Sequence, residues 1–253
     1  MASDRSCVEA CFVEPFQLAA FQAAISSHSG DWLHALPIAS CGLKLDDEAV
    51  RVAVCLRLGL EVCAPHTCRC GSMVDARGLH SFCCKRAPSR SSRHHSLNDL
   101  LARAMASAGI PVVKEPVGLS RQDGKRPDGL TLIPFEGGKP LIWDVTVVCS
   151  TAESYIGMAV QGSGVVAEMA ASRKEIKYSN LQNQYLFQPV AIETLGPINE
   201  SACCFLDDLG RRISFRTGDV RERSFLYQRI SVAIQRFNAV LLHDSFQLLE
   251  HPD

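Results

Sequence analysis

The amino-acid sequence predicts an α/β fold, a mixed β-sheet flanked by helices, with a small metal-stapled unit ahead of it and helical extensions at both ends. Three observations carry this. β-rich runs VVKEPVG (112–118), PDGLTLI (127–133) and LIWDVTVV (141–148) follow one helical stretch. A helix-forming segment, SGVVAEMAASRKEIKYSNLQ (163–182), separates them from a fourth run, YLFQPVAIET (185–194). Residues 63–84 are dense in Cys and His and carry no apolar period. The order helix, three strands, helix, strand (αβββαβ) argues against a pure βαβ ladder.

With 253 residues and 47% hydrophobic content the chain can bury a sizeable core. Its net charge of -1 argues against a uniformly basic nucleic-acid coat and leaves room for a local patch. No window is long and apolar enough for a membrane span, and the start MASDRSCVEACFVEP has no apolar stretch of a secretory leader. A nuclear or cytoplasmic protein, not secreted, is expected. Its 12 cysteines are then mostly thiols, and a cysteine cluster points to metal before disulfide.

Four regions follow in order: a helical connector (1–62), a zinc-binding and basic segment (63–95), the sheet-bearing core (96–200) and a helical extension (201–253). In the connector, PFQLAAFQAAISS and DDEAVRVAVCLRLGL read as helices, with Asp46, Asp47 and Glu48 suiting the start of the second. KRAPSRSSRHH (85–95) is a short low-complexity stretch in a span, Asp75 to Asp99, that has no acid between those two aspartates. From Ser96, LNDLLARAMASAG reads as a helix ending at Gly109, with Pro111 as a stop. Gly137-Gly138 joins the second and third β-runs as a hairpin. From Arg221 to about Leu249 a helix carries Leu226, Ile230, Ala233, Phe237 and Val240 at helical spacing, a stripe for the core or for a partner seam.

Two aspartates break the strand pattern. Asp128 follows Pro127 and could merely cap a turn, but Asp144 lies between Trp143 and Val145 with no turn residue nearby. An unpaired buried carboxylate costs several kcal/mol, so Asp144 needs a partner. Asp128 and Asp144 converging on Mg²⁺ or Mn²⁺ would suit phosphodiester hydrolysis. Register decides whether they can. A regular two-residue Gly137-Gly138 loop sets Asp144 against Thr131 and Asp128 against Val147, on opposite faces. One more residue or a bulge puts both on one face as diagonal neighbours, roughly 7–8 Å apart. Pro134 and Pro140 favour that longer, irregular loop.

Lys174 interrupts an otherwise packing face (Ala167, Ala170, Ala171, Tyr178, Leu181) of the helix at 163–182, and Lys177 stands at its edge. Either could steady an attacking water or the phosphate. Glu115 is a further carboxylate candidate, unless it simply pairs with Lys114 or Arg126, and Glu193 is a weaker one.

Cys68, Cys70, His80 and Cys84 form C-x-C-x9-H-x3-C, four soft ligands suited to structural Zn²⁺. Cys63, His66 and Cys83 remain alternative ligands. The acid-free stretch carrying Lys85, Arg86, Arg90, Arg93 and His94 suits contact with DNA phosphates.

As a set, RPDGLTLIP, LIWDVTV and RKEIKY resemble the PD-(D/E)XK nuclease core, and most closely the restriction-like endonuclease domain of site-specific LINE-type (non-LTR) retrotransposons. The resemblance spans about 68–195. It implies a metal-dependent DNA endonuclease with Pro127-Asp128, Asp144 and a helix lysine, Lys174 or Lys177 in the run ending at Tyr178, as the cutting set. The superfamily's usual lysine position holds Thr146, as in the retrotransposon branch. That family carries a CCHC zinc motif and an Arg-His motif upstream, though with two residues between its first cysteines instead of one. Double-stranded DNA is the implied partner, with the element's RNA a further candidate. No Tyr-x-Asp-Asp polymerase run occurs, and residues 1–60 resemble the connector that follows the polymerase. A DNA-binding or interaction module that keeps the fold without cutting is the alternative. A cysteine hydrolase lacks a convincing nucleophile setting.

Overall fold

Sequence periodicity places most elements well, and the physical reasons are visible at their ends. A computed structural model describes residues 9, 12, 14–119, 124 and 126–246. Its helices are α1 (Pro15–Ala24), α2 (Asp47–Leu58), α3 (Leu79–Cys83), α4 (Ser89–Ser107), α5 (Glu153–Ala159), α6 (Val165–Lys177), α7 (Glu200–Thr217) and α8 (Glu222–Ser245). Its strands are β1 (His66–Thr67), β2 (Met73–Val74), β3 (Val112–Lys114), β4 (Gly129–Thr131), β5 (Leu141–Val148) and β6 (Leu186–Glu193). α2 begins where Asp46 Oδ1 accepts the Ala49 N–H at 2.7 Å and ends at Gly59 in the left-handed region.

β1 and β2 form a small antiparallel pair. The main sheet is mixed, ordered β3-β4-β5-β6, with β3, β4 and β5 antiparallel and β6 parallel to β5. Leu141, Trp143 and Val145 of β5 and Val190 and Ile192 of β6 pack on one face against α4, α7 and α8. On the other, Ala191 meets Ala167 and Ala171 of α6, small residues that let the helix lie close to the strands. A second cluster joins Phe16 of α1 and Val52 and Leu56 of α2 to Phe82 of α3 and Leu241 and Leu242 of α8. Leu226, Ile230 and Ala233 are core residues, so the first half of the α8 stripe is used within the chain, while Phe237 and Val240 are half-buried. Residues 247–249, where that helix was expected to end, lie outside the described residues.

Three expectations change. The helix expected from Ser96 starts seven residues earlier, at Ser89, and absorbs most of the basic stretch. Asp244 Oδ2 of α8 accepts the Ser89 N–H at 3.0 Å, satisfying a first-turn donor that a linker would have left to water. The runs at 112–118 and 127–133 pair over only three residues each. Between β5 and β6 there are two helices, not one.

The hairpin resolves the register. Glu136 faces Lys139 across Gly137-Gly138, so the turn itself is the two-residue kind and not the longer loop expected. Further in, Gly129 faces Trp143 and Leu130 faces Ile142. Six residues on the β4 side therefore match three on the β5 side, and the odd excess, taken up around 132–134, restores the parity that brings positions 128 and 144 onto one face. Thr131 supports the irregular stretch, its hydroxyl accepting the Leu141 N–H at 2.9 Å and donating to Ile133 O at 2.8 Å.

Candidate active site and metal centre

Asp128 sits where β4 begins. Its N–H donates to Trp143 O at 2.9 Å although Trp143 is already paired with Gly129, the two-against-one arrangement of a β-bulge. Asp128 thus shares the Trp143 position at a bulge, with Asp144 the next residue along β5, and the two are not the diagonal ladder neighbours expected from the sequence. Gly129 is needed there: a Cβ at that position would lie 1.9 Å from the Trp143 ring. Asn98 of α4 fixes the same corner, donating to Asp128 O at 3.1 Å and accepting from Trp143 Nε1 at 2.8 Å.

The Asp128 carboxylate is 12% exposed. Its Oδ2 accepts the Val145 N–H at 2.6 Å and lies 2.9 Å from His94 Nε2. Those bonds leave its other oxygen without a hydrogen bond from the described residues. The bond to Asp128 holds the His94 imidazole above its ordinary range; burial opposes this, Asp144 adds to it and Lys174 subtracts. His94, expected on DNA, belongs with the carboxylates.

Asp144 is 3% exposed and fully engaged. Lys174 Nζ donates to Oδ1, Tyr178 OH donates to Oδ2 at 2.6 Å, and Lys177 Nζ stands 3.9 Å from Oδ2 and 2.8 Å from the Tyr178 oxygen. Both lysines therefore reach the acid, Lys174 directly and Lys177 through the tyrosine. The helix that carries them is fixed by Glu193, whose Oε1 accepts the Val166 and Ala167 N–H groups at 3.1 Å each. Burial pushes the Glu193 carboxyl up against those two bonds. Glu193 is thus a helix cap, and Glu115 is a surface acid paired with Arg126, which holds its carboxyl below the usual range. Glu115 has φ +49°, and its N–H donates to Asp128 O at 2.9 Å.

Beside Lys174 opens a groove of about 580 Å³ at the C-terminal end of β5. Lys85, Arg90, Arg93, Arg173 and Lys174 line it, and no carboxylate does among the described residues. Arg93 is 3% exposed, with Nη1 buried and without a hydrogen-bond partner among the described residues, and burial lowers its guanidinium to about 10. Arg86 faces elsewhere, into a crevice beside Cys84 and Asp244. Sequence reasoning missed Asn98 and Arg173; an asparagine inside the apolar stripe of a helix was the signal for the first.

The cysteine-rich unit places Cys68, Cys70, His80 and Cys84 with one ligand atom each, all within 4.8 Å of one another. Cys68 and Cys84 sulfurs are 3.8 Å apart, the separation that two Zn–S bonds of about 2.3 Å subtend at a tetrahedral centre. Bonds to Ser72, with help from His80 and Cys68, lower Cys70 to about 6, while burial raises Cys68 to about 11. The set could hold a zinc ion. The alternatives are engaged elsewhere: Cys63 Sγ with Asp75 O (3.4 Å), Cys83 Sγ with His80 O (3.4 Å), and His66 with Ala64 O (2.9 Å) and Ser245 Oγ (2.8 Å).

No helix among the described residues is long and apolar enough to cross a membrane. No protein-family model matches the chain, and no curated protein matches it.

Proposed function

We propose that the chain is a PD-(D/E)XK-type endonuclease of retroelement descent that hydrolyses duplex DNA with Mg²⁺ or Mn²⁺. One observation carries this reading: Asp128 stands at a bulge against Trp143, the residue before Asp144, with Lys174 on Asp144 at the edge of a groove whose described lining holds five cations and no acid. The αβββαβ order of α4, β3, β4, β5, α6 and β6 supports it, α5 being an addition.

The donor set fits a hard divalent cation. Asp128 offers its unbonded oxygen and Asp144 a second carboxylate, leaving the remaining positions to water and phosphate. The bound ion would polarise the phosphate and make water a better nucleophile. Lys174 would meet negative charge building on the phosphate, and Tyr178 orients Asp144. Arg90, Arg93, Lys85 and Arg173 would hold the duplex backbone, a role that positions without reading sequence.

A second reading, a DNA-binding module without cleavage, draws on one observation: Asp144 is already neutralised by Lys174 and Tyr178. Zinc-loaded protein incubated with supercoiled plasmid and Mg²⁺ separates the two. Nicking by the wild type that falls about 10²–10³-fold in Asp144→Asn and Lys174→Ala supports the enzyme. Equal nicking by wild type and Asp144→Asn refutes it, and binding without nicking leaves the module.

A further inference from the structure

We propose that a second groove, independent of the nuclease reading, binds single-stranded nucleic acid, taking phosphates on Arg103 and Arg229 and an unstacked base in the apolar pocket beside them. The groove, about 550 Å³, lies between α4, α8 and the turn Ala39–Cys41. Ser96, Leu100, Arg103 and Ser107 of α4 line it. At about 100° per residue Ser96 points some 200° from His94, so this wall is the far side of α4 from the carboxylates.

Among the described residues Arg103, Arg229 and Arg236 are its charged lining, and no carboxylate lines it. Arg236 is committed to structure, donating from Nη2 to Gly42 O at 2.7 Å and Lys44 O at 3.0 Å. Arg229 meets Glu222 only at 3.5 Å, and Arg103 is exposed. Like charges gathered around a hollow repel one another until an anion enters it.

Charge alone fits any polyanion, and the neighbouring surface narrows the choice. Arg229 and Cys41 also line a pocket of about 140 Å³ whose other walls include Leu36, Ile38, Leu43 and Phe225. Leu36 is 63% exposed and Ile38 43% exposed, so this apolar surface stands in water beside the arginines. A cationic track with an apolar, aromatic-walled slot matches a strand whose bases are unstacked. A duplex keeps its bases paired and stacked, and offers nothing to the slot.

Fluorescence anisotropy with zinc-loaded protein and a labelled oligothymidylate of about 15 nucleotides tests this without any cleavage, so it is independent of whether plasmid is nicked. In Arg103→Ala/Arg229→Ala, affinity should fall at least about tenfold and the slope of log K against log salt should shrink by about 1.4, two contacts at ~0.7 each. Phe225→Ala should weaken binding about tenfold and leave the slope unchanged. Neither change should alter affinity for a blunt duplex of equal length, and Arg211→Ala, outside the groove, should match the wild type. Unchanged oligothymidylate affinity in both groove variants overturns the proposal, as do equal losses for single strand and duplex. If the double variant does not fold, exposed Arg103→Glu alone decides: undiminished single-strand affinity overturns the site.

Discussion

Asn98 ties together the corner on which Asp128 rests, and replacing it by leucine isolates that role. The side chain is 4% exposed, so its bonds are made away from water. Asn98→Leu keeps the volume but leaves the Trp143 indole N–H, on a fully buried ring, with no acceptor. An orphaned buried donor costs about 1–3 kcal/mol. The Asp128 carbonyl suffers less, because the Glu115 N–H still reaches it at 2.9 Å; losing one of two bonds there costs about 1 kcal/mol. The expected loss is therefore ~2–4 kcal/mol, or very roughly 4–16 °C in Tm for a chain of this size. Trp143→Phe removes the donor itself, so in that background Asn98→Leu should cost ~1–3 kcal/mol less. Urea unfolding of the four proteins, zinc-loaded and at one pH, measures that coupling directly. Additivity within about 0.5 kcal/mol would show that the Asn98–Trp143 bond does not hold the corner.

Gly129→Ala should destabilise the protein by at least ~2 kcal/mol, since its Cβ would meet the Trp143 ring at 1.9 Å; a thermal midpoint within a degree or two of wild type contradicts that contact. If Cys68, Cys70, His80 and Cys84 hold zinc, the metal would supply folding energy to this unit, and Cys84→Ser should lower the zinc measured by mass spectrometry and raise hydrogen exchange across 63–88; unchanged zinc content would remove Cys84 from the ligand set. Glu193 gives a pH signature. Its folded pKa is raised, so its contribution is fully present below the unfolded carboxyl value near 4.5 and is lost as pH rises through the folded one. Glu193→Gln, which keeps an oxygen for Val166 and Ala167, should abolish that decline; a wild-type-minus-variant stability difference that is flat from about pH 4 to 7 refutes the assignment.

How far the sequence could be read depended on whether a residue's role was set locally. β5 was legible to the residue because Leu141–Val148 is long, β-rich and buried on both faces, and Lys174 stood out because a lysine interrupted a packing face of alanines. The zinc candidates were legible because soft ligands at close spacing do not otherwise congregate in a segment with so little apolar content. What could not be read was set by partners far along the chain. Arg93 was expected to meet DNA phosphates from a basic linker, yet Asp244, 155 residues beyond Ser89, holds the start of α4, on which Arg93 is buried while His94 reaches Asp128. The hairpin makes the same point in smaller compass. Its glycines form a two-residue turn where a longer loop was expected, and that turn alone would have separated Asp128 from Asp144. Three residues that leave the ladder, supported by the Thr131 hydroxyl, reverse the outcome. An odd excess flips every side chain to the other face, so the juxtaposition of the two acids rests on an irregularity to which no periodicity could point.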